Sequence, residues 1–368
     1  MKQIRILHMI GSLELGGSQA IVMSIYRNID REQIQFDFIV DSPDKLYFAD
    51  EIKQLGGKIY FMPKFKGTNI TDIISKWSQF FVEHREYKIL HSHVRSYASL
   101  YIPIAKRYGL KTIIHSHSTS NGKGFSALVK AVMQYPLRYQ ADYFFGCSKE
   151  AGVWLFGSKV ANSDRFYILK NGIDINRFLF NKNKRKKIRE QLKVSDSTLV
   201  IGHVGRFNKA KNHDFLIELF AELNKKMSDS KLLLVGDGEL KEHIKDKCKE
   251  CNVEDDVIFV GAQSNTEEYY WAMDLFCFPS LWEGLGIVAI EAQVSGLQCF
   301  VSTNVPDEAD IGLSLMTKID LNSSKREWID KMLEHVDYNR LVDTAIIRKS
   351  GYDISNSVAM MQKFYMGI

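Results

Sequence analysis

The chain has 368 residues, 45% of them hydrophobic and 25% charged, with a formal net charge of +5 at pH 7. This length predicts two or three domains, and the composition excludes a disordered or collagen-like chain. The mild positive charge suits a phosphorylated ligand or an anionic membrane surface. No RNA-binding or zinc-finger motif is present, so we expect no nucleic-acid partner.

The first half of the chain predicts one parallel α/β domain. Its first apolar run contains Arg5 and is typical of a buried strand, not of a secretory signal. No apolar run approaches the roughly 18–20 residues that span a bilayer, so we expect a cytoplasmic protein. Helical patterns alternate with strand-like runs, as expected for βαβ units in a doubly wound parallel sheet. The strand-like runs are 5–10, 36–40, 58–62, 88–93, 111–116, 143–147 and 166–170.

The second half of the chain repeats this alternation. Its strand-like runs are 198–205, 231–236, 256–261, 274–280 and 298–303. Between the halves lie a turn-forming Asn171-Gly172 pair and a basic cluster, which indicate a domain boundary. We therefore predict an α/β protein with two Rossmann-like, doubly wound parallel-sheet domains, 1–172 and 173–352, that face a central cleft. In such sheets, ligands bind at the carboxyl ends of the strands.

The cysteines predict neither a disulfide framework nor a metal site. They are five, an odd number, and are scattered along the chain. Cys248 and Cys251 form a C-x-x-C motif, but they lie in a charged helical pattern without a second cysteine pair. We interpret them as helix residues and not as a zinc or redox site.

Two adjacent glycines, Gly16 and Gly17, lie where the first predicted strand gives way to a helix. Bare backbone at this point allows close approach of a ligand, and the helix start offers free amides to an anion. The same residues also fit a tight structural turn. The G-x-G-x-x-G dinucleotide fingerprint is absent, so the glycines alone do not decide between the two.

Two H-S-H triplets end two predicted strands and contain His91, His93, His115 and His117. Alternate residues of a strand share a face, so four imidazoles are expected to converge at one sheet edge. A metal site is one interpretation, but no H-E-x-x-H or similar spacing adds carboxylate ligands. We favour the other interpretation, in which a histidine at the sheet edge hydrogen-bonds a polar substrate, and we expect no metal.

The second half contains two cations and two carboxylates near predicted helix starts. Arg206 and Lys211 follow a glycine-containing strand end and can bind a diphosphate, with solvated surface cations as the alternative. Glu283 and Glu291 are eight residues apart in E-G-L-G-I-V-A-I-E and can accept hydrogen bonds from hydroxyl groups of a sugar and a ribose. We expect the Glu283 carboxylate to be exposed to solvent. The intervening glycines leave bare amides at the helix start.

The motif E-G-L-G-I-V-A-I-E resembles the E-x7-E motif of retaining glycosyltransferases with the GT-B fold, in the glycosyltransferase family 4 group. Other motifs that resemble this family, in its order and over nearly the whole chain, are G-G-S-Q, N-G-I-D-x-x-x-F, G-R-F-N-K-A-K, V-G-D-G-E and D-L-F-C-F-P-S. H-S-H-S and V-S-T-N-V-P-D-E-A-D-I are similar to bacterial enzymes of capsular and exopolysaccharide assembly. One departure is Asn212, where many members have glycine, and we expect little consequence from it.

The resemblance implies roles for individual residues. His117 is expected to contact the transferred sugar, with His115 as the alternative. The residues implied to be catalytic are His117, Arg206, Lys211 and Glu283. The residues implied to bind the donor are Gly16, Gly17, Arg206, Lys211, Gly236, Gly238, Glu283, Gly284, Leu285, Gly286, Ile287 and Glu291, and those implied on the acceptor side are His93, His115 and His117. The N-terminal domain is expected to bind the acceptor and the C-terminal domain the nucleotide sugar, with the last helix, 353–368, packing on the N-terminal domain.

The resemblance also implies a reaction. A hexose or N-acetylhexosamine moves from a nucleotide diphosphate sugar, with UDP the expected nucleotide, to a growing lipid-linked repeat unit of a surface polysaccharide, with retention of anomeric configuration. The chain contains no D-x-D triplet, so an enzyme without metal or cofactor is expected. The alternatives are a GT-B nucleotide-sugar epimerase, a histidine-metal hydrolase and a non-catalytic binding subunit.

Residues 123–140 follow the His117 loop and combine apolar residues at helical spacing with cations. The apolar residues are Phe125, Leu128, Val129 and Val132, and the cations are Lys123, Lys130 and Arg138. By itself the apolar stripe fits packing on the sheet. The cations suit a helix on an anionic bilayer, beside a lipid-linked oligosaccharide acceptor. We therefore expect peripheral attachment to the inner face of the cytoplasmic membrane through this segment.

Overall fold

The structure is a computed structural model, and it describes residues 3–44, 46–117 and 125–368. The strands in this part of the chain are β1 (Ile4–Gly11), β2 (Ile34–Val40), β3 (Ile59–Phe61), β4 (Ile89–Ser92), β5 (Lys111–Ser116), β6 (Tyr143–Gly146), β7 (Phe166–Ile168), β8 (Leu199–Val204), β9 (Ser230–Val235), β10 (Val257–Gly261), β11 (Leu275–Phe278), β12 (Gln298–Ser302) and β13 (Met316–Ile319).

The helices are α1 (Gly17–Asn28), α2 (Ala49–Gln54), α3 (Ile70–Glu83), α4 (Ala98–Arg107), α5 (Phe125–Gln134), α6 (Leu137–Gln140), α7 (Lys149–Phe156), α8 (Ser158–Ala161), α9 (Ile175–Phe178), α10 (Lys182–Gln191), α11 (His213–Lys226), α12 (Lys241–Glu250), α13 (Thr266–Ala272), α14 (Ile287–Val294), α15 (Lys325–Leu333), α16 (Thr344–Lys349) and α17 (Ile354–Met366). None of the described helices is long and apolar enough to cross a bilayer.

The chain forms two compact units. The first unit consists of Met1–Gly172 together with Ile354–Ile368, and the second consists of Ile173–Asp353. Helix α17 therefore belongs to the first unit although it is last in sequence. Gly172 lies so close to α17 that a Cβ there would stand 2.7 Å from Ile354 Cα, which excludes a side chain at this point.

The first unit contains a seven-stranded parallel sheet in the order β3-β2-β1-β4-β5-β6-β7. The strand order reverses between β1 and β4, where His8 is paired with His91. One face of the sheet packs on α1 and α17 and the other on α3 and α4, which gives this unit two apolar layers. Ligands bind at such a reversal in open α/β sheets, at the carboxyl ends of the strands.

The second unit contains a six-stranded parallel sheet in the order β10-β9-β8-β11-β12-β13, and its order reverses between β8 and β11. Strand β13 was not among the predicted strands. This strand pairs only with β12 and has the mixed sequence M-T-K-I, with three of its four residues partly exposed. An edge strand of this kind lacks the continuous apolar run that marks the central strands.

The predicted α/β class with two Rossmann-like parallel sheets is confirmed. The strand-like runs of the sequence coincide with β1 to β12. Most of these strands are buried along nearly their whole length, because helices cover both faces of a parallel sheet.

Candidate functional site

In the second unit, the loop from β8 to α11 carries both predicted cations. β8 ends at Val204, and a 3₁₀ turn at Lys209–Lys211 leads into α11. Asn212 precedes α11 with φ 55° and ψ 48°, a left-handed conformation that glycine adopts freely and that asparagine tolerates. Its side-chain amide donates to Pro279 O at 3.1 Å. Asparagine therefore meets the backbone requirement at the position where the family resemblance led us to expect glycine.

An ion pair joins this loop to the loop that follows β11. Lys211 Nζ donates to Glu283 Oε1 at 2.6 Å and lies 4.6 Å from the centroid of the Phe278 ring. The Lys211 and Glu283 side chains are only 16% and 10% exposed. The expectation that Glu283 is solvent-exposed is therefore wrong. The pair brings together two motifs that are 72 residues apart in sequence.

Arg206 has a different partner and a different environment. Its Nε lies 3.3 Å from Glu239 Oε2, and its side chain is 70% exposed. An ion pair of this kind contributes about 0–1 kcal/mol, because water screens it and both side chains lose freedom. Arg206 can therefore exchange its carboxylate for an anionic ligand at little cost, whereas Lys211 is held in place.

The E-G-L-G loop positions Glu283 and begins α14. A Cβ at Gly284 would meet no atom within 4 Å, so the fold does not require glycine there. Gly286 has φ 82° and ends the loop in the left-handed region, directly before Ile287 opens the helix. Leu285 and Ile287 pack against the apolar core and anchor the loop. The helix start leaves backbone N–H groups without helical partners beside the open side of Gly284.

Glu291 lies on α14 and is held by Tyr270, whose hydroxyl donates to Glu291 Oε2 at 2.9 Å. Burial raises the pKa of Glu291 to about 7, although the Tyr270 hydrogen bond and the charge of Arg177 oppose this shift. Near neutral pH this carboxyl group therefore accepts hydrogen bonds when it is ionised and can donate one when it is protonated. Arg177 itself pairs with Glu267 at 2.8 Å.

Two glycines of the V-G-D-G-E turn are required by close backbone packing. A Cβ at Gly236 would lie 1.9 Å from Gly205 O, and one at Gly238 would lie 2.4 Å from Phe207 O. Phe207 N donates to Asp237 O at 2.9 Å and fixes the two loops together. Gly236 and Gly238 thus shape the loop that carries Arg206, and their predicted contact with the donor stays a prediction.

In the first unit, the predicted histidines converge, and His8 of β1 joins them. His8 Nδ1 lies 3.0 Å from His93 Nε2, and His93 Nδ1 lies 2.8 Å from His117 Nε2. The His115 and His117 rings stack with centroids 3.9 Å apart. Burial lowers the pKa of His8 and of His117 to about 3, and it lowers those of His91, His93 and His115 as well. All five rings are therefore neutral at pH 7.

The structure separates the two histidines that the sequence left as alternatives. His115 is 1% exposed, whereas His117 is partly exposed. Of the two, His117 is the one that a ligand in solution can reach directly. His91 lies deeper in the same cluster, and its Nδ1 lies 2.6 Å from the hydroxyl of Tyr365 on α17.

Gly16 and Gly17 form the start of α1. Gly16 is the N-terminal cap, with extended φ −135° and ψ 158° and no side-chain hydrogen bond to the helix. A Cβ at Gly17 would meet no atom within 4 Å, whereas one at Gly16 would lie 2.5 Å from Gln19 Oε1. The fold therefore does not require glycine at Gly17, which leaves open space beside the helix start.

A groove of about 610 Å³ lies at the carboxyl ends of β1, β2 and β4 in the first unit. Its polar floor includes Asp41, whose carboxylate accepts from the Tyr97 hydroxyl at 2.5 Å and from Ser42 Oγ at 3.2 Å. Lys64 and Lys130 line it as cations. Hydroxyl groups, carboxylate and ammonium groups together suit a polar, anionic or sugar-containing ligand.

Sequence reasoning missed three of these features. His8 carried a usable signal, because it lies in a predicted strand and parallel pairing could place it beside the H-S-H triplets. Asp41 and Tyr270 carried none. Each is brought to its place by tertiary contacts between elements that are distant in sequence.

Comparison with known proteins agrees with the architecture. Residues 184–311 match the family described as glycosyl transferases group 1. The glycosyltransferase EpsF of Bacillus subtilis (strain 168) is 30% identical over 99% of this chain and 96% of its own. The Escherichia coli protein named UDP-Gal:alpha-D-GlcNAc-diphosphoundecaprenol alpha-1,3-galactosyltransferase is 24% identical over 92% of this chain and 91% of its own.

Solved structures share the fold over the whole chain. The crystal structure of Anabaena Alr3699/HepE in complex with UDP and glucose matches with a TM-score of 0.78 at 17% identity and covers 100% of both chains. WaaG, a glycosyltransferase involved in lipopolysaccharide biosynthesis, matches with a TM-score of 0.68 at 16% identity, over 96% of this chain and 94% of its own.

Proposed function

This chain belongs to the glycosyl transferases group 1 family and is a GT-B glycosyltransferase, and from that premise we propose its reaction. It moves a hexose or N-acetylhexosamine from a UDP-linked donor to a lipid-linked repeat unit of a surface polysaccharide, with retention of anomeric configuration. The name of the Escherichia coli relative supports this choice, because it specifies UDP-Gal as the donor and a diphosphoundecaprenol-linked sugar as the acceptor.

The observation that carries the proposal is the Lys211–Glu283 pair, with Arg206 exposed on the same loop. An ammonium group has three donors, so Lys211 holds Glu283 with one and the leaving diphosphate with the others. Arg206 leaves Glu239 and binds the same diphosphate. Fixed cations beside the charge that develops on a leaving group are usually the largest single catalytic contribution.

The remaining residues of the second unit hold the rest of the donor. Glu283 accepts from hydroxyl groups of the sugar, and the amides of Gly284 to Ile287 support its phosphate. Glu291, which is partly buried and held by Tyr270, accepts from the ribose. This unit is accordingly the nucleotide-sugar unit, and the first unit binds the acceptor.

The chemistry is a front-face substitution through an oxocarbenium-like state, in which the leaving phosphate takes the proton of the acceptor hydroxyl. His117 contacts the transferred sugar as a neutral imidazole, because burial lowers its pKa to about 3. The reaction in this proposal needs no metal and no cofactor.

The groove of the first unit is the proposed acceptor site. Asp41 with Tyr97 offers hydrogen bonds to sugar hydroxyl groups, and Lys64 and Lys130 offer charge to the diphosphate of a lipid-linked acceptor. Lys130 belongs to α5, which also lines the groove with Val129. The acceptor site is thus continuous with the helix that we propose to lie on the membrane.

Helix α5 presents apolar side chains to solvent. Leu128 is 61% and Val132 is 65% exposed, and Val129 is exposed as well, so the interpretation that this stripe packs on the sheet is wrong for these residues. Lys130 is exposed beside them. Arg138 stacks on Tyr135 and donates to Leu155 O, so it is only partly available. Lys123 and the side chain of Phe125 lie outside the part of the chain that the structure describes.

These exposures support peripheral attachment to the inner face of the cytoplasmic membrane. An apolar face with cations at its rim suits the interface of an anionic bilayer. Sedimentation with anionic and neutral liposomes tests this, using Val132→Asp and Lys130→Glu as variants and Lys186→Glu, an exposed cation of α10, as the control. We expect weaker sedimentation with anionic liposomes for the two variants only. Equal binding by all four proteins would contradict the proposal.

Thermal-shift measurements with UDP-, GDP- and ADP-sugars test the donor. A ligand at about 100 times its dissociation constant stabilises the protein by about 2.7 kcal/mol, which is readily measured. We expect stabilisation by a UDP-sugar. Stabilisation by a GDP- or ADP-sugar alone would contradict the choice of nucleotide.

Product analysis separates the alternatives. With a UDP-sugar and a synthetic lipid diphosphate acceptor, we expect sugar transfer to the acceptor. NMR of the product should show the same anomeric configuration as in the donor. An epimerised donor without any acceptor would indicate the epimerase. Hydrolysis of the donor without an acceptor, abolished by chelators and restored by zinc, would indicate the metal hydrolase.

A further inference from the structure

The histidines of the first unit form one continuous cluster at the reversal of strand order. His8 comes from β1, His91 from β4 and His115 from β5, and each is at most 2% exposed. His93 and His117 directly follow β4 and β5 and are partly exposed. Neighbouring rings of the cluster have centroids 3.9 to 5.5 Å apart.

Several ring nitrogens in this cluster are buried without a hydrogen-bond partner among the described residues. His115 lacks one at both Nδ1 and Nε2, and His117 lacks one at Nδ1. Buried polar atoms in folded proteins are nearly always paired with protein, water or an ion, so each exception needs a cause. An imidazole with both nitrogens unpartnered is costly unless something else binds it.

We propose that His93, His115 and His117 bind one Zn²⁺ ion. One nitrogen from each ring lies within 4.8 Å of the others. Tetrahedral zinc holds imidazole nitrogens at about 2.0–2.1 Å, which separates them by about 3.3 Å. Imidazole ligands alone favour zinc and similar divalent transition metals over Mg²⁺ or Ca²⁺. The fourth position is left for water or another small ligand.

The tautomers allow zinc to replace the hydrogen bond between His93 and His117 while the bond between His93 and His8 is kept. Two of the three ligand nitrogens are His93 Nδ1 and His117 Nε2, which now share one hydrogen bond at 2.8 Å. When zinc takes both lone pairs, the proton of His117 resides on Nδ1, and that of His93 resides on Nε2. His93 then donates to His8 Nδ1, which lies 3.0 Å away. A ligating histidine typically donates its other N–H to such an acceptor.

The outer triad suits an ion better than the inner triad of His8, His91 and His93, which is also close enough to ligate. The inner triad borders a cavity of about 10 Å³, which is the lower limit for one water molecule. Two of its rings already have partners in His93 and Tyr365. The outer triad has the unpartnered His115 and is reached from solvent at His93 and His117.

Two further properties set the expected affinity. Burial lowers the pKa of these rings, so the ligands are neutral at pH 7 and protons do not compete with the metal. The positive charge of Arg95 acts on His115 and His117 and opposes a cation there. We therefore expect specific binding of moderate strength.

The test is metal binding by the full-length protein, purified without a histidine tag and stripped with a chelator. Co²⁺ replaces zinc and gives intense visible absorption only in a tetrahedral site, and its displacement by Zn²⁺ follows in the same cuvette. The variants are His115→Phe and His117→Gln, with His8→Phe for the outer partner of His93. His243→Gln on α12 is the control, because His243 is exposed and pairs with Asp214 at 2.8 Å.

We expect one Co²⁺ per wild-type chain, with tetrahedral absorption that Zn²⁺ abolishes. His115→Phe and His117→Gln should each lose the absorption, and His8→Phe should weaken binding by about 10–100-fold. His243→Gln should bind like the wild type. Circular dichroism establishes that each variant is folded, and the partly exposed His117 gives a test that does not disturb the core.

Absence of a one-to-one complex in the wild type, or equal binding in the wild type and both ligand variants, would overturn the proposal. Loss of binding in His8→Phe with full binding in His115→Phe would place the ion in the inner triad and overturn the assignment. The inference does not rest on the proposed reaction, because its readout is absorption and not transfer. A protein that binds zinc but does not transfer sugar, or the reverse, separates the two.

Discussion

In both units the strand order of the sheet reverses at one point, but the side chains near that point differ in charge and in hydrogen bonding. In the first unit, between β1 and β4, five neutral imidazoles stack on one another, and some of their nitrogens are buried without partners. In the second unit, beside β8 and β11, a lysine and a carboxylate neutralise each other at 2.6 Å. The shared topology thus fixes where a site forms, and the side chains fix what it attracts.

This difference implies different responses to acid. The cluster histidines of the first unit have pKa values lowered by burial, and so do His203 and His213 of the second unit, to about 4 and about 2. A folded-state histidine with a lowered pKa has no effect on the pH dependence of stability above about pH 6.5. Below that pH the unfolded chain binds a proton that the folded chain does not, so the free energy of unfolding decreases as the pH falls. Glu291, with its pKa raised to about 7, has the opposite sign and gains stability between pH 7 and about 4.5.

The largest effect that we predict is therefore the selective acid sensitivity of the first unit. Each neutral buried histidine contributes a slope of about 1.4 kcal/mol per pH unit below pH 6. The five in the first unit give up to about 7 kcal/mol per pH unit, whereas in the second unit Glu291 offsets one of two, leaving about 1.4. Urea unfolding at pH 7.0 and pH 5.0, followed by limited proteolysis and mass spectrometry, assigns a midpoint to each unit. Equal shifts of the two midpoints would contradict this prediction.

The second prediction concerns the ion pair of the second unit. Lys211→Ala should lower kcat by about 10²–10³, or about 3–4 kcal/mol in the barrier, because a fixed cation at the leaving group is lost. It should also lower the melting temperature, since Glu283 is left shielded without its partner. Lys209→Ala, in the same 3₁₀ turn but exposed, is the matched control. Turnover by Lys211→Ala equal to that of Lys209→Ala would remove Lys211 from the site.

The third prediction contrasts one glycine from each unit. Gly236→Ala should destabilise the second unit by about 1–3 kcal/mol or more, because its Cβ would meet Gly205 O at 1.9 Å and the neighbouring loops must move. Gly17→Ala should stabilise the first unit by about 0.4–1 kcal/mol, because its Cβ meets no atom within 4 Å and the unfolded chain loses freedom.

Thermal melts of both glycine variants provide the measurement, and transfer assays show whether Gly17 is needed for ligand binding. Stable Gly236→Ala protein would mean that its loop yields easily. Gly17→Ala protein with a normal melt and full activity would leave Gly17 without a role in binding.

The last prediction concerns Glu291→Gln, whose expected effect is again about 1 kcal/mol. Loss of a charged acceptor for one ribose hydroxyl should raise the KM for the donor by up to about tenfold, since a net hydrogen bond contributes about 0.5–1.5 kcal/mol. Without Glu291 to offset one of the two histidines, acidification should destabilise the second unit more steeply, by about 2.7 instead of about 1.4 kcal/mol per pH unit. Initial-rate kinetics and urea unfolding measure the two effects, with the exposed Glu254→Gln as control. An unchanged KM with an altered acid response would make Glu291 a purely structural group.

Much of the candidate site was accessible from local sequence. Arg206, Lys211, Glu283 and Glu291 follow strand ends or helix starts that the alternation of apolar runs already marks. What the sequence could not give is the direct contact between Lys211 and Glu283, and it led us to expect an exposed carboxylate. That contact depends on two loops that meet only after β8 and β11 pair.

The sequence by itself determined the alternation of strands and helices, the two parallel sheets and the residue types at the carboxyl ends of their strands. It could do so because a central strand that is buried on both faces must be a continuous apolar run. The tertiary structure decided the edge strand β13, the place of α17 in the first unit and the addition of His8 to the histidine cluster. It also decided that Leu128, Val129 and Val132 of α5 face solvent. These outcomes depend on which elements become neighbours in space. The free energy of such contacts cannot be predicted from the residue pattern of any single segment.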